Sequence, residues 1–119
     1  MQPSELAVKH PDEVFLKKAM NIVEKHISDS SFDVQTFVKE MGMSRSVLYR
    51  RLESVTGQSV NEFIRIIRLK RAAQLLSLNT YSVAEVAYEV GFNDPQYFSK
   101  CFHKYFHCTP SQYAANQEK

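Results

Sequence analysis

The chain has 119 residues, the usual size of one domain, so it can bury one real core but not two large independent ones. Its composition is 44% hydrophobic and 24% charged, with three Gly and four Pro, which excludes fibrous and disordered proteins and favours helix. The net charge is +2, but residues 44–71 alone hold seven Lys or Arg and two Asp or Glu, a local charge of +5. This concentration of positive charge is typical of a surface that binds phosphates, although the solvated face of an ordinary helix gives the same pattern.

The sequence also argues against a membrane span and a secretory signal peptide within these residues. No window has the roughly 18 uninterrupted apolar residues of a membrane span. Residues 1–10 lack the blocks of a signal peptide and are predicted to be a linker or a remnant of something upstream. Cys101 and Cys108 are expected to be free thiols. We therefore predict a cytoplasmic location, which includes the cytoplasmic end of a membrane-anchored sensor.

Start and stop signals predict seven helices and no strand, an all-α fold. Pro11 and the acids after it open the first helix. Its buried face is predicted from three- and four-residue spacing at Phe15, Leu16, Ala19, Ile22, Val23 and Ile27. Later helix starts are predicted at the caps Asp33, Ser44 and Asn93 or Asp94, and at the capping-box pairs Ser59–Glu62, Ser82–Glu85 and Thr109–Gln112.

The sequence contains an internal repeat. The apolar and glycine pattern of residues 34–43 recurs 49 positions later in residues 83–92, and that of residues 48–63 recurs 50 positions later in residues 98–113. Each copy is a short helix, a turn with Gly42 or Gly91, and a longer helix, which is the arrangement of a helix-turn-helix. Within one domain of residues 11–119, we place the two helix-turn-helix units at about residues 33–57 and 82–106, the linker helix at about 60–77 and a C-terminal helix at about 110–116.

Two stretches carry a family resemblance: SRSVLYRRLESVTGQSVNEFIRIIRLKRAAQLL and YSVAEVAYEVGFNDPQYFSKCFHKYFHCTPSQY. They resemble the first and second units of the AraC/XylS class of bacterial transcription regulators, over about residues 15–113. The segment DEVFLKKAMNIVEKHISDSSFDV and the SRSVLYRRL helix are similar in particular to C-terminal output domains of Bacteroidetes hybrid two-component sensors. The resemblance implies a homeodomain-like fold that binds double-stranded DNA, with receiver and kinase domains upstream and RNA polymerase as a candidate partner.

In the first unit, helical spacing places Val47, Leu48, Leu52 and Val55 inward. It leaves Arg45, Ser46, Tyr49 and Arg50 outside. The resemblance implies base reading by Ser46, Tyr49 and Arg50, and Arg is well suited to guanine; Arg45 and Arg51 are assigned to phosphates. Packing against the linker helix is the alternative for Tyr49.

In the second unit, spacing places Phe98, Phe102, Tyr105 and Phe106 inward. The resemblance implies that the residues facing the groove are Pro95, Gln96, Ser99 and Lys100. Tyr97 either packs or contacts phosphate, and His103 is expected to contact phosphate. Because this helix contains no Arg, we expect it to discriminate bases less than the first.

A linker helix of 18 residues spans about 27 Å, a scale comparable with one turn of DNA, so both units could enter successive major-groove segments on one face. Arg65, Arg68 and Arg71 recur along it. They are interpreted as phosphate contacts or as partners of acids in the first helix. For Arg68, a structural role is expected at least as much as either of these.

Other chemistries fit less well. The residue types of a zinc site occur at Cys101, His103, His107 and Cys108. At about 100° per residue the two His lie near the opposite side of the helix from the two Cys, so we expect no metal and no cofactor. No nucleophile or phosphate-loop motif occurs, so no enzyme activity is expected. The alternative function is a helical protein-interaction module with a basic face.

Overall fold

A computed structural model describes residues 10–117, so the linker predicted at residues 1–10 lies outside the described residues except for its last position. This part of the chain has an all-α fold, as predicted, with helices joined by short turns and loops and no strand between residues 10 and 117. The helices are α1 (His10–Lys25), α2 (Val34–Met41), α3 (Arg45–Thr56), α4 (Val60–Ser77), α5 (Val83–Glu89), α6 (Pro95–Phe106) and α7 (Pro110–Gln117). None of these helices is long and apolar enough to cross a membrane.

Side-chain caps set where the helices begin. The Asp33 carboxylate accepts a hydrogen bond from the Thr36 amide at 2.9 Å, and the Ser44 hydroxyl accepts one from the Val47 amide at 3.3 Å. All three predicted capping boxes form, at Ser59–Glu62, Ser82–Glu85 and Thr109–Gln112. Of the two candidates before Pro95, Asp94 is the cap of α6. Each cap satisfies backbone donors that a helix start leaves without an intrahelical partner, so these boundaries are determined locally.

Left-handed residues end three of the helices. Gly42 and Gly57 follow α2 and α3 with φ of 71° and 72°, and His107 follows α6 with φ of 65°. His107 stands at the position that Gly57 occupies in the first repeat, 50 residues earlier. The histidine takes the glycine-like conformation, and the turn is kept.

The described chain divides into two compact units. Unit 1 contains the residues up to Lys25 together with Phe32–Ile64, and unit 2 contains His26–Ser31 and the residues from Arg65 onward. The buried apolar side chains of unit 1 are Phe15, Ala19, Ile22, Val23, Phe32, Phe37, Met41, Leu48, Leu52, Val60, Phe63 and Ile64. Those of unit 2 are Leu69, Ala72, Ala73, Leu76, Val86, Ala87, Val90, Phe92, Phe98 and Phe102. Each helix-turn-helix therefore has its own core.

The two turn glycines are equivalent in the repeat but are required for different reasons. Both have positive φ, 71° at Gly42 and 90° at Gly91. A Cβ added to Gly42 would meet no described atom within 4 Å. A Cβ added to Gly91 would lie 2.6 Å from the carbonyl oxygen of Ile27 and would overlap the guanidinium of Arg68. Gly91 is thus required by close approach as well as by backbone conformation.

We expect Gly42→Ala to lower the free energy of unfolding by about 1 to 2 kcal/mol, the cost of a side chain at positive φ. Gly91→Ala should lower it by at least about 3 kcal/mol, because Arg68 must also move and lose its hydrogen bonds. Urea unfolding followed by circular dichroism measures both. Equal losses for the two variants would contradict the steric role of Gly91.

His107→Gly is expected to raise the free energy of unfolding by about 0.5 to 1 kcal/mol, since relief of the left-handed strain exceeds the entropy cost of glycine. Asn79 also has positive φ, 54°, but asparagine tolerates this region. Asn79→Gly should therefore raise the free energy of unfolding by a smaller amount. Thermal unfolding of the two variants makes the comparison. A loss of stability in His107→Gly would show that the histidine side chain stabilises the turn.

Candidate nucleic-acid interface

The outer face of α3 carries the predicted base readers of unit 1. Ser46, Tyr49 and Arg50 are exposed, and Tyr49 is 39% exposed. On the opposite face, Leu48 and Leu52 are completely buried. The helix therefore holds its polar side chains outward on a fixed apolar base. Two further positions predicted to point inward are half-buried: Val47 and Val55.

The two arginines predicted to bind phosphates in unit 1 have different surroundings. Arg45 is exposed, and its guanidinium carbon lies 6.0 Å from the centroid of the Tyr49 ring. Arg51 is half-buried, and its guanidinium carbon lies 4.3 Å from the centroid of the Phe15 ring. Its Nη2 atom is also 3.5 Å from the Asp12 carboxylate. Arg51 thus holds α1 against α3, a role that the sequence did not reveal.

The outer face of α6 carries the corresponding side chains of unit 2. Gln96, Lys100 and His103 are exposed, whereas Pro95 and Ser99 are half-buried. Pro95 is the first residue of the helix, where a missing backbone donor costs nothing. The predicted groove-facing residues thus begin at the very start of α6.

Tyr105 corrects the prediction for this helix, because its side chain is 37% exposed and does not point inward. The spacing from Phe98 is compatible with an inward position. However, the last turn of α6 packs Phe106 against Tyr113 of α7, with ring centroids 5.5 Å apart. The neighbouring helix therefore determines which aromatic side chain is covered.

Tyr97 and Arg65, both predicted to contact phosphate, lie together within unit 2. A hydrogen bond with the Cys101 side chain raises the pKa of Tyr97, and the nearby Arg65 guanidinium lowers it. The Tyr97 ring is 51% exposed and its centroid lies 6.0 Å from that of Phe92. Tyr97 therefore packs on one side and remains open to solvent on the other.

Arg68 has a structural role in unit 2. Its side chain is buried, at 7% exposure, and its guanidinium donates to three backbone carbonyls: Gly91 at 2.6 Å, Asp29 at 3.2 Å and Val90 at 3.3 Å. Burial lowers the pKa of Arg68, and the Asp29 carboxylate opposes this effect. The structural role expected for Arg68 is therefore confirmed, and the phosphate alternative is wrong. Arg71 is half-buried and has interactions of its own.

Known proteins share this arrangement. Residues 37–116 match a family model described as a helix-turn-helix domain. The chain is 50% identical over 111 residues to Histidine kinase P4 of Formosa agariphila, covering 93% of this chain and 8% of that protein. It is 38% identical over 100 residues to the Msm operon regulatory protein of Streptococcus mutans, covering 82% of this chain and 36% of that protein. The chain therefore spans only a small part of one of these relatives and about a third of the other.

Among solved structures, the DNA-binding domain of the global transcriptional factor AdpA, in complex with a target DNA, is 30% identical. The TM-score is 0.75, and the match covers 91% of this chain and 93% of that one. Together with the two helix-turn-helix units, each with a buried core and an outward polar face, these matches show that the chain belongs to the AraC-type helix-turn-helix family of DNA-binding transcription regulators.

Proposed function

We propose that this chain is the DNA-binding output end of a two-component signalling protein, with receiver and kinase domains upstream. The 50% identity to part of a protein named as a histidine kinase supports this proposal. RNA polymerase at the regulated promoter is a further proposed partner. On DNA, each unit inserts its second helix into a major-groove segment on one face of the duplex.

The observation that carries the proposal is the outward face of α3. Ser46, Tyr49 and Arg50 are exposed on a helix whose other side is locked into the core of unit 1, so they can reach base edges without rearrangement. Arg50 can bind the O6 and N7 atoms of guanine with two hydrogen bonds. Arg45, which is exposed at the start of α3, binds the phosphate backbone, as does Arg51 through the exposed part of its side chain.

Unit 2 reads DNA with a weaker set of groups. Pro95, Gln96, Ser99 and Lys100 face the groove, where Gln pairs with adenine and Lys with guanine or phosphate. Four further side chains of unit 2 contact phosphates: Arg65, Arg71, Tyr97 and His103. Arg65 and Tyr97 lie close enough to bind the same phosphate, which supports the assignment of both.

Arg50→Ala is expected to lower specific affinity by about 1 to 3 kcal/mol and to relax the preference at one base pair. Arg51→Ala should weaken binding to all sequences alike. It should also lower the free energy of unfolding by about 1 kcal/mol, because Arg51 packs on Phe15. Selection from random DNA measures the preference.

Lys104→Ala is the matched control for this selection, since Lys104 is an exposed cation of α6 outside the proposed contact set. Its selected sequence should equal that of the unaltered chain. An unchanged preference in Arg50→Ala would refute the assignment of Arg50 as a base reader.

Salt dependence separates DNA binding from the alternative of a basic protein-interaction face. The logarithm of the affinity for the selected duplex should fall linearly with the logarithm of the salt concentration, and Arg45→Ala should reduce the slope by about one. Fluorescence anisotropy at several salt concentrations measures this slope. Binding that is insensitive to salt, or no binding to any duplex, would favour the alternative.

A further inference from the structure

Each helix-turn-helix turn receives a hydrogen bond from a basic side chain of the helix that precedes the motif. In unit 1, Lys18 Nζ of α1 donates to the carbonyl of Met41 at 3.2 Å. In unit 2, Arg68 Nη1 of α4 donates to the carbonyl of Val90 at 3.3 Å. Met41 and Val90 are equivalent positions in the internal repeat, 49 residues apart.

The two donors are 50 residues apart, one more than the 49-residue offset of the acceptors that they bind. The same kind of contact is therefore made from the helix that precedes each motif, α1 in unit 1 and α4 in unit 2. The same contact, made twice with different basic residues, indicates a requirement of the motif and not an accident of one surface.

The contact in unit 2 is the more extensive of the two. Arg68 binds the carbonyls of Gly91 and Asp29 as well as that of Val90, and it is buried. The space that the guanidinium occupies is available only because residue 91 has no Cβ. A charged donor in a buried position fixes such carbonyls more strongly than an exposed lysine can.

The carbonyls of Met41, Val90 and Gly91 lie at the end of the first helix of each motif, where backbone acceptors lack intrahelical partners. Gly91 is three residues before Asp94, the cap that starts α6, and Gly42 is two residues before Ser44, the cap that starts α3. The conformation of each turn therefore sets the direction in which the second helix leaves it. This direction matters because side chains at a recognition site must be held within about 0.5 Å of their binding positions.

We propose that Lys18 and Arg68 are positioning residues for DNA recognition, each fixing the turn of its own unit so that α3 and α6 present their side chains in register with the bases. The inference rests on the proposed function, since it assigns these residues a role in that same binding. Neither residue contacts DNA; both act through the turn.

The test uses the 119-residue chain and three duplexes: the sequence selected from random DNA, and two derivatives in which one half-site or the other is scrambled. The ratio of Kd for a scrambled duplex to Kd for the intact one measures how strongly that half-site is read. The half-site whose ratio falls in Arg50→Ala is the one that α3 reads. Circular dichroism at the assay temperature establishes that each variant is folded.

Arg68→Met should reduce the ratio for the α6 half-site by about tenfold and leave the α3 half-site within about twofold. Lys18→Met should lower the ratio for the α3 half-site by about threefold and leave the α6 half-site unchanged, because it removes a single, partly buried hydrogen bond. Lys18→Arg should restore unit 1, because a guanidinium can also donate to the carbonyl. Arg68→Lys should not restore unit 2, because a compact ammonium lacks the wide guanidinium fork, in which Nη1 binds Val90 and Gly91 while Nη2 binds Asp29.

A general loss of stability would reduce the active fraction and weaken binding to all three duplexes by the same factor, leaving both ratios unchanged. Unchanged ratios in folded Arg68→Met and Lys18→Met would overturn the inference without contradicting the proposed function. If Arg68→Met does not fold, Arg68→Lys and Lys18→Met decide the question on the same ratios. Absence of sequence-specific binding by the unaltered chain would overturn the proposed function, and the inference with it.

Discussion

The Arg68 guanidinium, enclosed among the carbonyl oxygens of Asp29, Val90 and Gly91, is the interaction on which unit 2 depends. A buried charge is tolerated only where hydrogen bonds replace its water. Three carbonyls supply these bonds, and they come from two separate segments of the chain. The arrangement also explains why residue 91 is glycine, and it removes one cation from the central basic stretch that could otherwise meet DNA.

The two units are versions of one design with their arginines in different places. In unit 1 the arginines of α3 lie at the surface, where Arg50 is exposed and Arg51 is partly covered by Phe15, and the turn is held by a lysine. In unit 2 the turn is held by an arginine, Arg68, and α6 contains no arginine. Under the proposed function, unit 1 is therefore the more discriminating reader of bases, whereas unit 2 has the more firmly fixed turn.

Local features of the sequence predicted most of the fold. The capping boxes, such as that of Ser82 and Glu85, depend on residues three apart, so the helix starts could be predicted correctly. The exposed face of α3 followed from helical spacing for the same reason. Contacts between distant segments could not be predicted. The stacking of Arg51 on Phe15, the carbonyl ligands of Arg68 and the exposure of Tyr105 all depend on which helices become neighbours.

The loop His26–Ser31 belongs to unit 2, although the residues on both sides of it belong to unit 1. Unit 2 is therefore assembled from two stretches of chain that unit 1 interrupts. A fragment that starts at Arg65 would lack the Asp29 carbonyl and would leave one side of a buried guanidinium without its acceptor. The second helix-turn-helix therefore cannot be exchanged between regulators as one continuous segment of a gene. The exchanged DNA must also include the codons of the short loop that precedes the first helix-turn-helix.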